Sequence, residues 1–292
     1  MQSIDNLIRW ASPNLSAAGV DQPKREARLI LELVSKISLA RQLAEPARLL
    51  EDGEIEQFRT MVKERSMGKP FAYLSGWADF YGRAFLVDNC LIPRPETELL
   101  VSRALDLDLP RKPRILDLCT GSGCLGISVY LELIRKSYEP SLVMTDISPK
   151  SLVTCRKNLD RYIREGGRAI CLKADLFPQT LLETGGEPGF DLILANPPYI
   201  KSSDLAQLET TVRDFEPAEA LDGGTDGLLF YRRIAAEIKP FLATSKSFLL
   251  IEHGAGQRED ILAIFQSSGL AFQQSIMQDD WQGHDRLLGF FL

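Results

Sequence analysis

The chain has 292 residues, 45% of them hydrophobic and 25% charged, with a formal net charge of −6, which fits a globular protein long enough for two domains. Neither the first eighty residues nor the remainder carries a basic excess, so the positive surface of a duplex-binding protein is missing and no direct nucleic-acid partner is expected. The amino terminus lacks the basic start and apolar core of a signal peptide, no run reaches the roughly 18–20 apolar residues of a membrane span, and the odd set of five cysteines contains no CxxC pair; the expectation is buried reduced thiols, no metal, no membrane and a cytoplasmic protein.

Residues 1–70 read as helical. Pro23 opens a helix over 23–37, in which Ala27, Ile30, Leu31 and Val34 fall at helical spacing. A second helix, over 51–70, puts Ile55, Phe58, Met61 and Val62 on one face and stops at Gly68-Lys69-Pro70. No strand pattern interrupts this stretch, which predicts a small helical domain over 1–75. Residues 71–100 are rich in aromatic and β-branched side chains, with Gly76 and Gly82 as turn signals; they predict a hairpin linker over 76–92 and a helix starting near Pro95. From residue 114 strands and helices alternate. Strands are predicted over 114–120, 141–148, 169–175, 190–196 and 247–254, helices over 123–136, 149–165 and 257–269, and an antiparallel pair of closing strands within 271–292. That alternation predicts an α/β domain over 93–292, a parallel sheet with helices on both faces, whose ligands bind at the carboxyl ends of the strands.

Three of those strand ends carry chemistry. Gly121-Ser122-Gly123-Cys124-Leu125-Gly126 spells GxGxxG where a strand passes into a helix; glycines let backbone approach a ligand closely, and a helix amino terminus favours a negative group. Asp117 precedes this loop, and Asp146, at the end of the next strand, suits a ribose diol. These features point to a nucleoside-containing ligand. A nicotinamide dehydrogenase matches them equally well, as does a purely structural turn with Asp146 capping a helix. At the third strand end stands Asn196-Pro197-Pro198-Tyr199. Proline removes a donor and fixes φ, and Pro197 drives Asn196 out of the α region, so the segment is a stiff corner with hydrogen-bond acceptors at fixed positions. Such a corner has no role in hydride transfer. It suits a planar NH2 group, whose lone pair is delocalised and poorly nucleophilic: the Asn196 side-chain oxygen and the Pro197 carbonyl accept both N–H bonds and orient the nitrogen, while Tyr199 stacks on the planar group and excludes water. Asn196, Pro197 and Tyr199 are therefore the candidate catalytic residues, with no strong general base. Arg94 and Glu96, between prolines, read as closing over the cofactor. Glu252 and His253 end a strand and line the substrate pocket or are structural, and Gly223-Gly224 reads as a flexible loop near the substrate or a plain turn.

The Asn-Pro-Pro-Tyr corner resembles the motif of S-adenosylmethionine-dependent methyltransferases that modify planar nitrogens. The wider segments "AYLSGWADFYGRAFLVDNCLIPRPETELLV", "RILDLCTGSGC", "FDLILANPPYI", "RDFEPAEALDGGTDGLLFYRRI", "LLIEHG" and "DDWQGHDRLLGF" resemble the HemK/PrmC family of release-factor glutamine N5-methyltransferases, from about residue 70 to the end. The resemblance implies a Rossmann-like class I methyltransferase sheet with a small N-terminal helical domain for substrate recognition. It also implies S-adenosyl-L-methionine as cofactor and methylation of the glutamine side-chain nitrogen in the Gly-Gly-Gln motif of class-1 peptide chain release factors. Residue by residue, it implies a cofactor loop of Cys119, Thr120, Gly121, Ser122 and Gly123, with Asp146 on the ribose and Asn196 beside the donor. Leu176 covers the adenine where an aromatic is usual, and Asn196, Pro197, Pro198 and Tyr199 clamp the substrate. Cys119 stands where the family usually has glycine, a form shared with enzymes that methylate a ribosomal-protein glutamine; "LIPRPETELL" and "HDRLLGF" resemble the release-factor branch. The alternatives are that ribosomal-protein activity and an adenine N6-methyltransferase, which would want a basic channel and a base-stacking platform.

Overall fold

Pro23, the capping residues of the first helices and a handful of aliphatic side chains organise the amino-terminal unit, Met1–Gly76 together with Glu209–Phe215. The computed structural model describes all residues except 164–165, 184–188, 244–245 and 273. The unit contains α1 (Ile4–Ala17), α2 (Pro23–Ser35), α3 (Leu39–Ala44), α4 (Asp52–Ser66) and α5 (Phe71–Ser75). Ser3 caps α1 by accepting from the Asn6 N–H, and the Glu54 carboxylate reaches back to the Glu51 N–H at the start of α4. Leu7, Leu15, Ile30, Leu31 and Phe58 form its core. The helices predicted over 23–37 and 51–70 stop at Ser35 and Ser66, because Lys36 and Gly68 turn into positive φ. The expectation of no strand in this stretch is corrected: β1 (Gln2–Ser3) pairs antiparallel with β2 (Leu49–Leu50). Two residues are too few to show an alternating pattern.

The second unit, Trp77–Leu208 with Glu216–Leu292, opens with the predicted hairpin, β3 (Trp77–Phe80) against β4 (Arg83–Leu86). A 3₁₀ turn, Pro95–Thr97, leads into α6 (Glu98–Ala104). There follow β5 (Arg114–Leu118), α7 (Cys124–Arg135), β6 (Ser141–Asp146), α8 (Pro149–Tyr162), β7 (Ala169–Lys173), α9 (Gln179–Glu183), β8 (Leu192–Ala195), and α10 (Thr210–Arg213), which belongs to the first unit. The chain closes with α11 (Leu229–Glu237), β9 (Phe248–Glu252), α12 (Arg258–Ser267), β10 (Gln274–Asp279) and β11 (Asp285–Phe291). The far end of the helix predicted over 149–165 falls on Arg164 and Glu165, outside the described residues.

The seven strands run in the order β10-β11-β9-β8-β5-β6-β7, with β7, β6, β5, β8 and β9 parallel and β11 and β10 antiparallel at one edge. The predicted α/β alternation and the antiparallel closing pair are both present. Successive strand residues face opposite layers: Ile115, Leu194 and Leu250 join one core with α6, α7 and α8, while Leu116, Ile193 and Leu249 join another with α11 and α12. Both faces being covered explains why these strands read as unbroken apolar runs. The sequence reading leaves 201–246 without a helix. α11 occupies part of it and buries Tyr231, Ile234 and Ala235. From β5 the chain moves to β6 on one side and later to β8 on the other, so the crevice at the carboxyl end of β5 is the topological switch point. No helix among the described residues is long and apolar enough to cross a membrane.

Candidate active site

The loop after β5 alternates left-handed residues, with Cys119 at φ 54°, Gly121 at 56° and Gly123 at 83°. Glycine adopts this region freely, whereas at Cys119 it is strained by the side chain. Two carboxylates hold the loop, one buried and one half-buried. Asp117, on β5, accepts from the Thr120 hydroxyl and from the Gly126 N–H, at 3.1 Å, in the first turn of α7. A Cβ on Gly126 would lie 2.8 Å from the Asp117 carboxylate, so the last glycine of the GxGxxG run serves close helix–strand packing. Asp146, ending β6, accepts from the Gly121 N–H at 2.8 Å and the Ser148 N–H at 2.9 Å. It thereby ties the loop to the start of α8 and keeps further lone pairs for a ligand. Burial pushes the Asp117 carboxyl up to about 7 and raises that of Asp146 as well. Cys119 and Cys124 are likewise raised by burial, so neither is a thiolate nucleophile.

Cys119, Gly121, Asp146, Leu176, Asn196 and Pro198 border one pocket, which Ile147 and Phe230 also line. Leu176 sits at φ 64° and its carbonyl accepts from the Thr145 hydroxyl at 2.8 Å, which fixes the backbone from which the residue lines the pocket. A diol-binding carboxylate, glycine backbone and apolar walls suit the ribose and the planar base of a nucleoside. Thr120, Ser122 and Asn196 also border a smaller cavity with Arg94, Thr97 and Asp117. Arg94 is held at 2.6 Å by the buried Glu216, which also accepts from the Ile92 N–H. Gly123 instead caps α7, and a Cβ there would meet the Cys155 sulfur at 3.0 Å.

The corner after β8 is held by backbone. Ile200 donates to the Leu221 carbonyl at 3.0 Å and accepts from the Gly223 N–H at 2.7 Å. A Cβ on Gly223 would lie 2.7 Å from the Tyr199 Cα, so this glycine permits a close chain crossing rather than a flexible loop. Gln257 donates to the Tyr199 carbonyl at 3.0 Å and accepts from the Gly254 N–H. Tyr199 borders a separate groove, with Lys201, Asp226, Arg232 and Gln257. Burial pushes its phenol up to about 12, so it is no general base near neutrality. Asn196 donates through Nδ2 to the Thr97 hydroxyl at 3.0 Å, and Thr97 donates to Glu252 Oε2 at 2.6 Å. Burial pushes Glu252 up to about 7. The His253 ring is fully buried, with Nδ1 2.9 Å from the Gly254 carbonyl. Thr97, Glu216 and Gln257 escape the sequence reading, since the bonds that tie them to the site, to Asn196, Arg94 and Tyr199, reach far along the chain.

The chain matches the family models PrmC N-terminal domain over residues 6–76 and Methyltransferase small domain over residues 95–221. It is 32% identical, over 98% of its own length and 96% of the relative's, to a protein of Geobacter sulfurreducens named release factor glutamine methyltransferase. A protein of the same name from Agrobacterium fabrum is 35% identical over 96% of this chain and 94% of that one. Among solved structures it is similar to the hMettl16 catalytic domain in complex with MAT2A 3′UTR hairpin 6. That match has a TM-score of 0.54 at 14% identity and covers 89% of this chain and 91% of that chain, a likeness of fold alone.

Proposed function

The chain belongs to the release factor glutamine methyltransferase family, and on that premise we propose that it methylates the side-chain amide nitrogen, N5, of the Gly-Gly-Gln glutamine in class-1 peptide chain release factors, in the cytoplasm. The observation that carries the reading is the position of Asn196, which borders the same pocket as Gly121, Asp146 and Leu176, so the proposed amide-binding corner adjoins the glycine loop and the carboxylate suited to a ribose. S-adenosylmethionine supplies an electrophilic methyl group on a cationic sulfur. Asp146 accepts from the ribose hydroxyls with the lone pairs its two backbone donors leave free, and Leu176, Ile147 and Phe230 flank the base. Asn196 Oδ1 and the Pro197 carbonyl accept the two N–H bonds of the substrate amide. They hold the nitrogen in one orientation with dipoles already in place. No base is required, because an amide nitrogen that has gained a methyl group loses its proton readily to water. Pro198 walls the corner on the side of the cofactor pocket, and Tyr199 faces the adjoining groove, from which the protein substrate would enter.

The helical residues 1–75 recognise the protein substrate, 76–92 form the linking hairpin, and 93–292 form the catalytic domain. The test is methyl transfer to an intact release factor and to its Gln→Glu form. Glutamate offers no N–H donors to the two acceptors, and when ionised it sets negative charge against them. Transfer to the first alone is expected; equal transfer to both, or transfer to neither, contradicts the proposal.

A further inference from the structure

We propose that Thr97 and Glu252 are positioning residues that fix which way round the Asn196 amide sits, presenting its oxygen rather than its NH2 to the substrate; this rests on the amide-clamp reading above. An asparagine amide has one acceptor prong and one donor prong, and the clamp works in only one of its two flipped states. In the other, two NH2 groups face each other. A hydroxyl cannot decide between these states, since Thr97 Oγ1 can donate to the Asn196 oxygen or accept from its nitrogen. A carboxylate can decide. Ionised Glu252 only accepts, and it takes the single Thr97 proton at 2.6 Å. Thr97 is left with lone pairs alone, which the Asn196 Nδ2 meets at 3.0 Å. Planarity then puts Oδ1 on the free prong, toward a ligand in the cavities that Asn196 borders.

The fold brings the three groups together from separate elements. Parallel pairing of Ala195 with Ile251 places Asn196 and Glu252 side by side at the ends of β8 and β9. Thr97 closes the 3₁₀ turn that Pro95 opens, with its N–H on the Arg94 carbonyl at 3.1 Å. Thr97 and Glu252 are 3% and 1% exposed. A carboxylate at the end of the apolar strand Phe248–Ile251 is costly to bury and gives the sheet nothing that a hydrophobic residue would not. Its surroundings compensate only in part: the Thr97 hydrogen bond, Arg286 on β11 and a direct hydrogen bond from the Asn196 amide, which favours the same orientation, support its charge, while Glu96 of the 95–97 turn opposes it. Tyr199 and Tyr231 also face it, the latter donating to the Glu252 carbonyl, and His253 follows it in the chain. A cationic ligand in the cavity that Thr97 borders favours the ionised form.

The experiment uses the full-length enzyme with an intact release factor. Thr97→Val should lower kcat about ten-fold, the size of one neutral hydrogen bond, with unchanged KM for the release factor and unchanged affinity for S-adenosylmethionine by calorimetry. Thr97→Ser, which keeps the hydroxyl, should restore kcat. Wild-type kcat in Thr97→Val overturns the proposal. So does a Thr97→Val loss that Thr97→Ser fails to restore, or one shared equally by kcat, cofactor affinity and thermal midpoint. Should Thr97→Val not fold, Glu252→Gln carries the test. A glutamine can donate to Thr97 and permit the reversed chain, so kcat should fall with the cofactor affinity kept; an unchanged kcat overturns the proposal. Wild-type enzyme that methylates no release factor refutes the function itself, whereas active wild type with indifferent variants refutes only the positioning.

Discussion

Asn196 is half-buried at a strand end, so its replacement tests chemistry with little packing at stake. Asn196→Ala removes one preorganised acceptor and should cut kcat ~10²-fold or more, with the thermal midpoint kept; near-wild-type turnover in a steady-state transfer assay would contradict the clamp. Asp146→Ala should weaken S-adenosylmethionine binding by ~1–3 kcal/mol, the scale of a lost charge-assisted hydrogen bond, and calorimetry that shows equal affinity removes Asp146 from the site. Asp117 and Glu252 predict an unusual dependence on pH. Burial pushes both carboxyls up to about 7, so each holds its proton more tightly folded than unfolded. The associated stability is full below about pH 4 and lost as the pH rises through about 7, at no more than about 1.4 kcal/mol per pH unit for each group. Urea midpoints of the ligand-free protein should therefore fall between those limits, and less steeply in Glu252→Gln; an identical slope in that variant would contradict the buried, titrating carboxyl. Asn196 was legible because two prolines announce a stiff corner locally. Thr97 was not, because its bond to Asn196 spans 99 residues and nothing in Arg94-Pro95-Glu96-Thr97 marks the threonine out.

At the scale of elements, the parallel strands were legible because covering both faces makes each an apolar run bounded by turn residues. Pro23 and Pro149 marked helix starts for the reason that proline suits a first turn. What stayed hidden was short or set by distant neighbours. The β1–β2 bridge is two residues per side, and α11 follows loop-like Asp222-Gly223-Gly224, although Tyr231, Ile234, Ala235 and Ile238 have the spacing of a buried face. The meaning of Gly223 lay in the chain crossing at Tyr199, which no local pattern records. The packing of α7 on β5 gives a test at this scale. A side chain at Gly126 would press on Asp117 within 2.8 Å, so Gly126→Val should destabilise the protein by ~1–3 kcal/mol, as overpacking does. An unchanged denaturation midpoint would show that α7 and the carboxylate can move apart at no cost.

Across the whole molecule, a single glutamine offers too little surface to select one protein among many, so the proposed place of that selection is the helical residues 1–75. A chain of residues 77–292 should keep its affinity for S-adenosylmethionine and methylate an intact release factor poorly, as competing transfer and binding assays would show; full activity would place recognition in the catalytic unit. The proposed substrate is tested most directly by a mass map of a competition. Full-length enzyme is given isotopically labelled S-adenosylmethionine in a mixture of release factor, ribosomal proteins and DNA, and every methylated fragment is sequenced by tandem mass spectrometry. One label is expected, on the side-chain nitrogen of the Gly-Gly-Gln glutamine of the release factor. A label on adenine, or on a ribosomal-protein glutamine while the release factor stays unmodified, would contradict it.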